Sequence, residues 1–232
     1  MGKDVIVACD FPSAGETLAF LDKLGSARPF VKIGMELYYA EGPQIVRSLK
    51  ERGCKVFLDL KLHDIPNTVK KAMAVLSGLG ADIVNVHAAG TKAMMAAALE
   101  GLTRPDGSRS LLIAVTQLTS TDEATMQSEL LISRSMPETV MHYARNARAA
   151  GLDGVVCSPM EAAKVHEACG EKFLTVTPGV RFADGDKGDQ KRVMTPAEAK
   201  RVGSDYIVVG RPITAAADPA AAYERCLREF LD

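Results

Sequence analysis

The 232-residue chain has no cysteines paired at the spacing of a zinc or redox motif. Cys9, Cys54, Cys157, Cys169 and Cys226 are scattered and odd in number, which argues against a disulfide framework and for reduced thiols. There is no excess of charge of either sign. Formal net charge is −1, with Lys and Arg spread along the sequence, so neither a nucleic-acid footprint nor a polybasic membrane segment is expected. No apolar run approaches the roughly 20 residues that span a bilayer. The first apolar run, which ends at Asp10, is too short for a signal-peptide core. The expectation is a soluble, cytoplasmic protein that binds any anionic ligand locally.

What is present is ordinary globular composition, 47% hydrophobic and 25% charged, in a length that suits one α/β barrel or two small domains. Short runs rich in Val, Ile and Leu alternate with longer amphipathic stretches throughout, as in repeated βα units. Eight strand candidates fall at 5–10, 30–35, 55–61, 83–89, 111–118, 154–158, 173–177 and 206–210. Most are almost continuously apolar, as strands covered on both faces should be. Ile45, Val46 and Leu49 share one helical face that stops before Gly53, and Gly80 and Gly151 mark similar stops. Ser158-Pro159-Met160-Glu161 and Thr195-Pro196-Ala197-Glu198 fit capping boxes with Pro at the first helical position, and Asp218-Pro219 is a related opening. No linker divides the chain, so residues 1–232 read as a single-domain (β/α)8 TIM barrel. A doubly wound open sheet fits less well, because the first turn after a strand lacks G-x-G-x-x-G and no phosphate-binding P-loop pattern occurs.

In such a barrel the active site is built where strands end. Asp10 ends the first strand candidate, Lys32 interrupts the second, Asp59 and Lys61 end the third, His87 is late in the fourth, Thr119 ends the fifth and Arg211 follows the eighth. Side-chain alternation puts Asp59 and Lys61 on one face and Leu58 and Leu60 on the other. Asp64, past the strand, can turn back to the same cavity or reach out to a neighbour. Lys32 needs a carboxylate such as Asp10 or Asp59, since an unpaired buried ammonium costs several kcal/mol. An ion-pair plug without chemistry is the bland alternative. A metal site is disfavoured, because two lysines compete for the same carboxylates and His87 has no second histidine at ligand spacing. His63, His142 and His166 read as exposed or loop residues.

A second constellation lies in the last two units. Pro178-Gly179-Val180-Arg181 and Gly210-Arg211-Pro212 each join a glycine, which exposes backbone N–H groups, to an arginine, where barrels commonly hold a phosphate. The polar, glycine-bearing stretch 182–191 between them suits a mobile lid, and the polar connection 120–135 is a second candidate cover.

Together these residues resemble orotidine 5'-monophosphate decarboxylase, of the bacterial type 1 subfamily. The signature D-x-K-x-x-D-I-x-x-T is met by Asp59, Lys61, Asp64, Ile65 and Thr68. Asp10, Lys32, Thr119, Pro178 to Arg181, Gln190, Gly210 and Arg211 follow in matching order along essentially the whole chain. The resemblance implies a homodimeric barrel that converts orotidine 5'-monophosphate to uridine 5'-monophosphate and carbon dioxide without metal or organic cofactor. It implies Lys61 as the acid that protonates C6, with Lys32, Asp59 and Asp64 completing a charge network. Asp64, Ile65 and Thr68 would serve the partner's site. Asp10 and Lys32 would contact the ribose, Thr119 and Gln190 would help to hold the ligand, and Gly210, Arg211 and Gln190 would bind phosphate, with Arg181 at the same end and Pro178 also among the substrate-binding residues.

Overall fold

The computed structural model describes residues 3–184 and 194–232. β1 (Asp4–Ala8) is followed by α1 (Ala14–Lys23), β2 (Phe30–Ile33) by α2 (Met35–Glu41) and α3 (Pro43–Glu51), β3 (Lys55–Leu62) by α4 (Pro66–Ser77), and β4 (Ile83–His87) by α5 (Thr91–Leu102). β5 (Leu111–Val115) leads into α6 (Glu123–Glu129) and α7 (Met136–Ala149), and β6 (Gly154–Val156) into α8 (Ala162–Cys169). β7 (Leu174–Thr177) precedes α9 (Pro196–Arg201), and β8 (Tyr206–Val209) leads into α10 (Arg211–Thr214) and α11 (Pro219–Leu231). All neighbouring strands pair in parallel and in chain order, and β8 closes on β1, so the sheet is an eight-stranded barrel. The expected (β/α)8 architecture is the one observed.

Alternation along the strands divides the apolar side chains into two cores. Val5, Val7, Val31, Ile33, Val56, Leu58, Val84 and Val86 face outward and pack under the helices. Ile6, Ala8, Phe30, Phe57, Ile83, Ile113, Leu174, Val176, Tyr206 and Val208 fill the barrel's interior, where the Phe30 and Tyr206 rings meet edge to face with centroids 6.0 Å apart. This inner layer makes the barrel a packed core rather than a pore.

The two capping boxes expected at Ser158 and Thr195 form, and Asp218 accepts a hydrogen bond from the Ala221 N–H at 3.0 Å. The box at Ser158 opens a single 3-10 turn before α8 rather than the helix itself. Several strands are shorter than their apolar runs. β5 ends at Val115, so Thr119 lies four residues beyond the strand, in a turn that nevertheless buries it. The polar connection 120–135 contains α6, whose first turn is capped by the Asp122 side chain accepting from the Thr125 N–H at 2.8 Å. The helix expected around Ile45, Val46 and Leu49 forms as α3, and Gly42, at φ 65, separates it from α2, which the sequence had not marked.

The bottom of the barrel is closed by a device used three times. Gly80-Ala81-Asp82, Gly151-Leu152-Asp153 and Gly203-Ser204-Asp205 precede β4, β6 and β8, each with the glycine in the left-handed region that other residues adopt at a cost. Each aspartate accepts from the backbone N–H of the second residue of the preceding odd strand: Val56 to Asp82 at 2.7 Å, Leu112 to Asp153 at 2.7 Å and Thr175 to Asp205 at 2.8 Å. Each also meets a basic side chain, respectively Lys50 at 2.6 Å, Arg109 at 2.8 Å and His166 at 2.9 Å. His166 is thus not an exposed or loop residue as its sequence setting suggested. It is buried in α8, held there by the Asp205 carboxylate.

On the outside, α4 and α5 approach closely at Gly101. A Cβ built there would lie 2.0 Å from the Lys70 carbonyl oxygen. Helix propensity favours Ala over Gly by about 1 kcal/mol, but a backbone clash of this kind forces the helices apart. Gly101→Ala is therefore expected to destabilise the fold by about 1–3 kcal/mol, measured by urea unfolding. A gain in stability would mean that the helices separate without cost.

Candidate active site

Above the apolar inner layer the inward-facing positions turn polar. Ala8 is followed two residues on by Asp10, Phe30 by Lys32, Phe57 by Asp59 and then Lys61, and Ile83 by Asn85 and then His87. All of these lie toward the C-terminal mouth, so one period-two count assembles a ring of polar groups over a greasy floor.

The charges in this ring alternate. The Lys32 ammonium lies 2.7 Å from Asp10 and 3.6 Å from Asp59, and the Lys61 ammonium donates to Asp59 at 2.7 Å. Asp10 opens to solvent, with 63% of its side chain exposed, whereas Lys32 and Asp59 each keep only 11%. Burial opposes ionisation of Asp59, but the neighbouring Lys32 and Lys61 charges, with hydrogen bonds from Lys61 and Asn85, hold its carboxyl below the ordinary range. Burial likewise opposes the Lys32 charge, and Asp59 and Asp10 outweigh it and raise the ammonium's pKa. His87 is pushed down, first by burial and then by the charges of His63 and Lys61.

The expected pairing of Asp59 with Lys61 is present, but the strand between them is not regular. Leu58 pairs with Val84 and Leu62 with Val86, so β3 advances four residues where β4 advances two. Lys61 takes φ 51, a left-handed conformation that costs a residue with a Cβ about 1–2 kcal/mol. The buried residue that manages this distortion is Asn85, to which the sequence reading assigned no role. Its Oδ1 accepts from the Lys61 backbone N–H at 2.8 Å and its Nδ2 donates to Asp59 at 2.6 Å. The signal was an amide in the middle of the apolar run Ile83-Val84-Asn85-Val86.

The network borders a cavity of about 190 Å3 floored by Phe57, Val115, Val156 and Val208, with Gln117, Thr119 and Pro178 along its wall. Beyond it, after β7 and β8, a second cavity of about 560 Å3 is lined by Arg181, Phe182, Arg211 and Pro212. Arg211 is the first residue of α10, with Gly210 as its cap. Arg225 forms the outer wall, its guanidinium 4.2 Å from the Phe182 ring centroid and 3.1 Å from both oxygens of Asp184. Gln190 and residues 185–191 of the expected lid lie outside the described residues.

Asp64, Ile65 and Thr68 do not join the network. Residues 63–68 form an exposed run in which Ile65 is 67% accessible. The Asp64 carboxylate accepts only from the neighbouring Ile65 N–H, at 2.6 Å, and among the described residues no cation pairs with it. Asp64 is thus exposed and makes no ion pair with the Lys61 of its own chain.

A closed parallel barrel with an apolar floor, alternating charges at its C-terminal mouth and arginines after its last two strands defines a (β/α)8 barrel enzyme. The family model described as orotidine 5'-phosphate decarboxylase / HUMPS family matches residues 3–226, and the chain belongs to that family. It is 58% identical to the orotidine 5'-phosphate decarboxylase of Geobacillus sp. (strain WCH70), covering 99% of this chain and 98% of that one. It is 60% identical to the enzyme of that name from Bacillus caldolyticus, covering 97% and 93%. The crystal structure of orotidine 5'-phosphate decarboxylase from Lactobacillus acidophilus superposes with a TM-score of 0.89 at 44% identity, over 99% of this chain and 100% of that one. Among the described residues no helix is long and apolar enough to cross a membrane.

Because the Asp59 carboxyl is held below its ordinary value in the folded state, the unfolded chain takes up its proton first as pH falls. The stabilisation is complete above the ordinary carboxylate value of about 4 and is lost as pH falls through the depressed folded value. Asp59→Asn should therefore lose stability at pH 7, and its deficit relative to wild type should shrink below about pH 4. Paired unfolding curves at pH 7 and pH 3 measure the deficit, and a pH-independent deficit would show that Asp59 is not an ionised member of the network.

Proposed function

We propose that this chain decarboxylates orotidine 5'-monophosphate to uridine 5'-monophosphate, the last step of de novo pyrimidine synthesis, with Lys61 as the proton donor. The observation that carries this reading is the alternating series Asp10, Lys32, Asp59, Lys61, half sunk into an apolar cavity. Breaking the C6–carboxylate bond releases carbon dioxide and leaves an electron pair on a ring carbon with no adjacent sink. An ammonium fixed beside that carbon stabilises the developing charge and then transfers its proton to C6, leaving a neutral amine that solvent reprotonates. Asp59 confines the Lys61 ammonium to one direction by accepting from it at 2.7 Å, so little reorganisation is left for the reaction itself.

Asp10 and Lys32 are the partners for the ribose hydroxyls, and Thr119 and Pro178 border the base. Arg211, the Gly210 N–H, Arg181 and Gln190 take the phosphate. That group is far from C6, so its binding energy can be used to order the charges and raises turnover as well as affinity.

Asp64, Ile65 and Thr68 complete the site of a second copy in a two-fold dimer. Two properties support this: the Asp64 carboxylate has no cation of its own among the described residues, and a large apolar side chain, Ile65, is open beside it. In this reading the chain needs neither metal nor organic cofactor. Both Asp59 oxygens are already engaged, by Lys61 and Asn85 on one and Lys32 on the other, which leaves a cation poorly provided for. A metal-dependent sugar-phosphate enzyme of the HUMPS branch and a non-catalytic nucleotide sensor are the rivals.

Release of carbon dioxide from orotidine monophosphate by a chelator-treated sample tests the main reading. Activity that returns only with Mg2+ on a ribulose phosphate favours the HUMPS branch, and binding without carbon dioxide release favours a sensor. Lys61→Ala should lower kcat by at least about 10^2–10^4-fold. The shared site is tested by mixing Lys61→Ala with Asp64→Ala subunits: each alone should be nearly inactive, and exchange should restore roughly a quarter of wild-type activity through the one intact site of a mixed dimer. No recovery after proven exchange would place Asp64 in the site of its own chain.

A further inference from the structure

We propose that Asn85 is a positioning residue for the reaction: it aims the Lys61 ammonium by gripping the Lys61 backbone and the Asp59 carboxylate at once. The proposal rests on Lys61 as the proton donor. Asn85 has no access to bulk solvent, being 1% exposed, and its two amide atoms bond to two different parts of one ion pair. The amide's orientation is forced. A backbone N–H can only donate and an ionised carboxylate can only accept, so Oδ1 must face Lys61 and Nδ2 must face Asp59.

The need for such a group follows from the irregularity of β3. Where β3 advances four residues against two on β4, the backbone of Lys61 has no regular ladder partner, and the Asn85 side chain takes that place. The same amide fixes Asp59 Oδ1, the oxygen that also receives the Lys61 ammonium at 2.7 Å. Both ends of the Lys61 side chain are thereby referred to one rigid point on β4, its root by the backbone bond and its tip through Asp59. Without this amide the left-handed turn at Lys61 has less to hold it, and the ammonium can swing within reach of the carboxylate. A misplacement on the order of 1 Å at a reacting group can cost about 10^2-fold in rate.

Asn85→Leu removes both bonds at similar volume, and Asn85→Asp supplies a test that depends on pH. While protonated, the carboxyl that Asn85→Asp introduces has one acceptor and one donor, as the amide has. With one proton between them, the introduced carboxyl and Asp59 together carry the same charge as the native Asn85 and Asp59. Two carboxyls this close hold their shared proton above the ordinary carboxylate range. That proton faces Lys61 on β3, Lys32 on β2 with Asp10 behind it, and His87 on β4, with His63 next to His87.

The measurement is kcat and KM for orotidine monophosphate across pH, together with unfolding midpoints, for wild type, Asn85→Leu, Asn85→Asp and Lys61→Ala. Asn85→Leu should lower kcat about 10–100-fold with KM changed less than about threefold. Asn85→Asp should approach wild-type kcat at low pH and lose it on an alkaline limb that sets in at lower pH than the one that deprotonation of the Lys61 ammonium gives wild type. An Asn85→Leu enzyme that is folded and keeps wild-type kcat overturns the proposal. So does an Asn85→Asp profile parallel to wild type, which would leave Asn85 a purely structural role and stays decisive if the leucine variant does not fold. Lys61→Ala separates the two levels. If it keeps full activity, the reading of Lys61 as donor fails; if it is inactive while Asn85→Leu turns over normally, only the role of Asn85 fails.

Discussion

Asp59 is a carboxylate placed where water scarcely reaches it, and its ionisation depends on the neighbouring Lys32 and Lys61 ammonium groups, of which Lys32, buried as deeply, in turn depends on Asp59. Taking each of these two buried ions from water costs several kcal/mol even after relaxation, so neither Asp59 nor Lys32 can be considered alone. Lys32 reaches Asp59 only because β2 and β3 are adjacent and paired in the observed register, which puts Lys32 beside Phe57, one inward step below Asp59. Asn85 reaches it only because β4 lies on the other side. Barrel closure, strand order and local register are thus prerequisites of the charge series and not a neutral support for it.

Polarity along that interior is arranged by height. Ile6, Phe30, Phe57, Ile83, Ile113, Leu174 and Tyr206 fill the lower barrel, and charge begins one inward step higher on β2 and β3. The apolar layer gives the charges a floor that water cannot penetrate, which strengthens each Coulombic contact above it. Asp10, at the edge of the ring, keeps one end of the series in contact with solvent. The gradient runs from a dry floor to a wet rim, with Lys61 between them.

Much of this could be read from the residues alone because the relevant periodicities are short. Strand alternation paired Asp59 with Lys61, and the near-continuous apolar runs gave eight buried strands. Boundaries were less legible: Thr119 belongs to a turn beyond β5, and α6 occupies a stretch that reads as loop, because its single buried apolar residue, Met126, gives no helical period. His166 read as a surface residue because its partner Asp205 is distant in sequence. Asn85 passed unmarked within an apolar run, because its role depends on a register shift between β3 and β4 that no local pattern encodes. For Asp64 the residues alone left two alternatives open, and the path of the chain after β3 shows it exposed and outside the ion-pair series of its own chain.

The three Gly-x-Asp turns at the base of the barrel separate what must be kept from what can change. Each fastens an even strand to its odd predecessor and to one basic side chain, using atoms that do not reach the mouth. Closure is therefore distributed over three similar fasteners, while the chemistry depends on a single series of charges at the opposite end. Substitutions can accumulate around the rim with the barrel still sealed from below. The βαβ pair, rather than the single strand, becomes the natural unit in which such a molecule could be duplicated, exchanged or rebuilt.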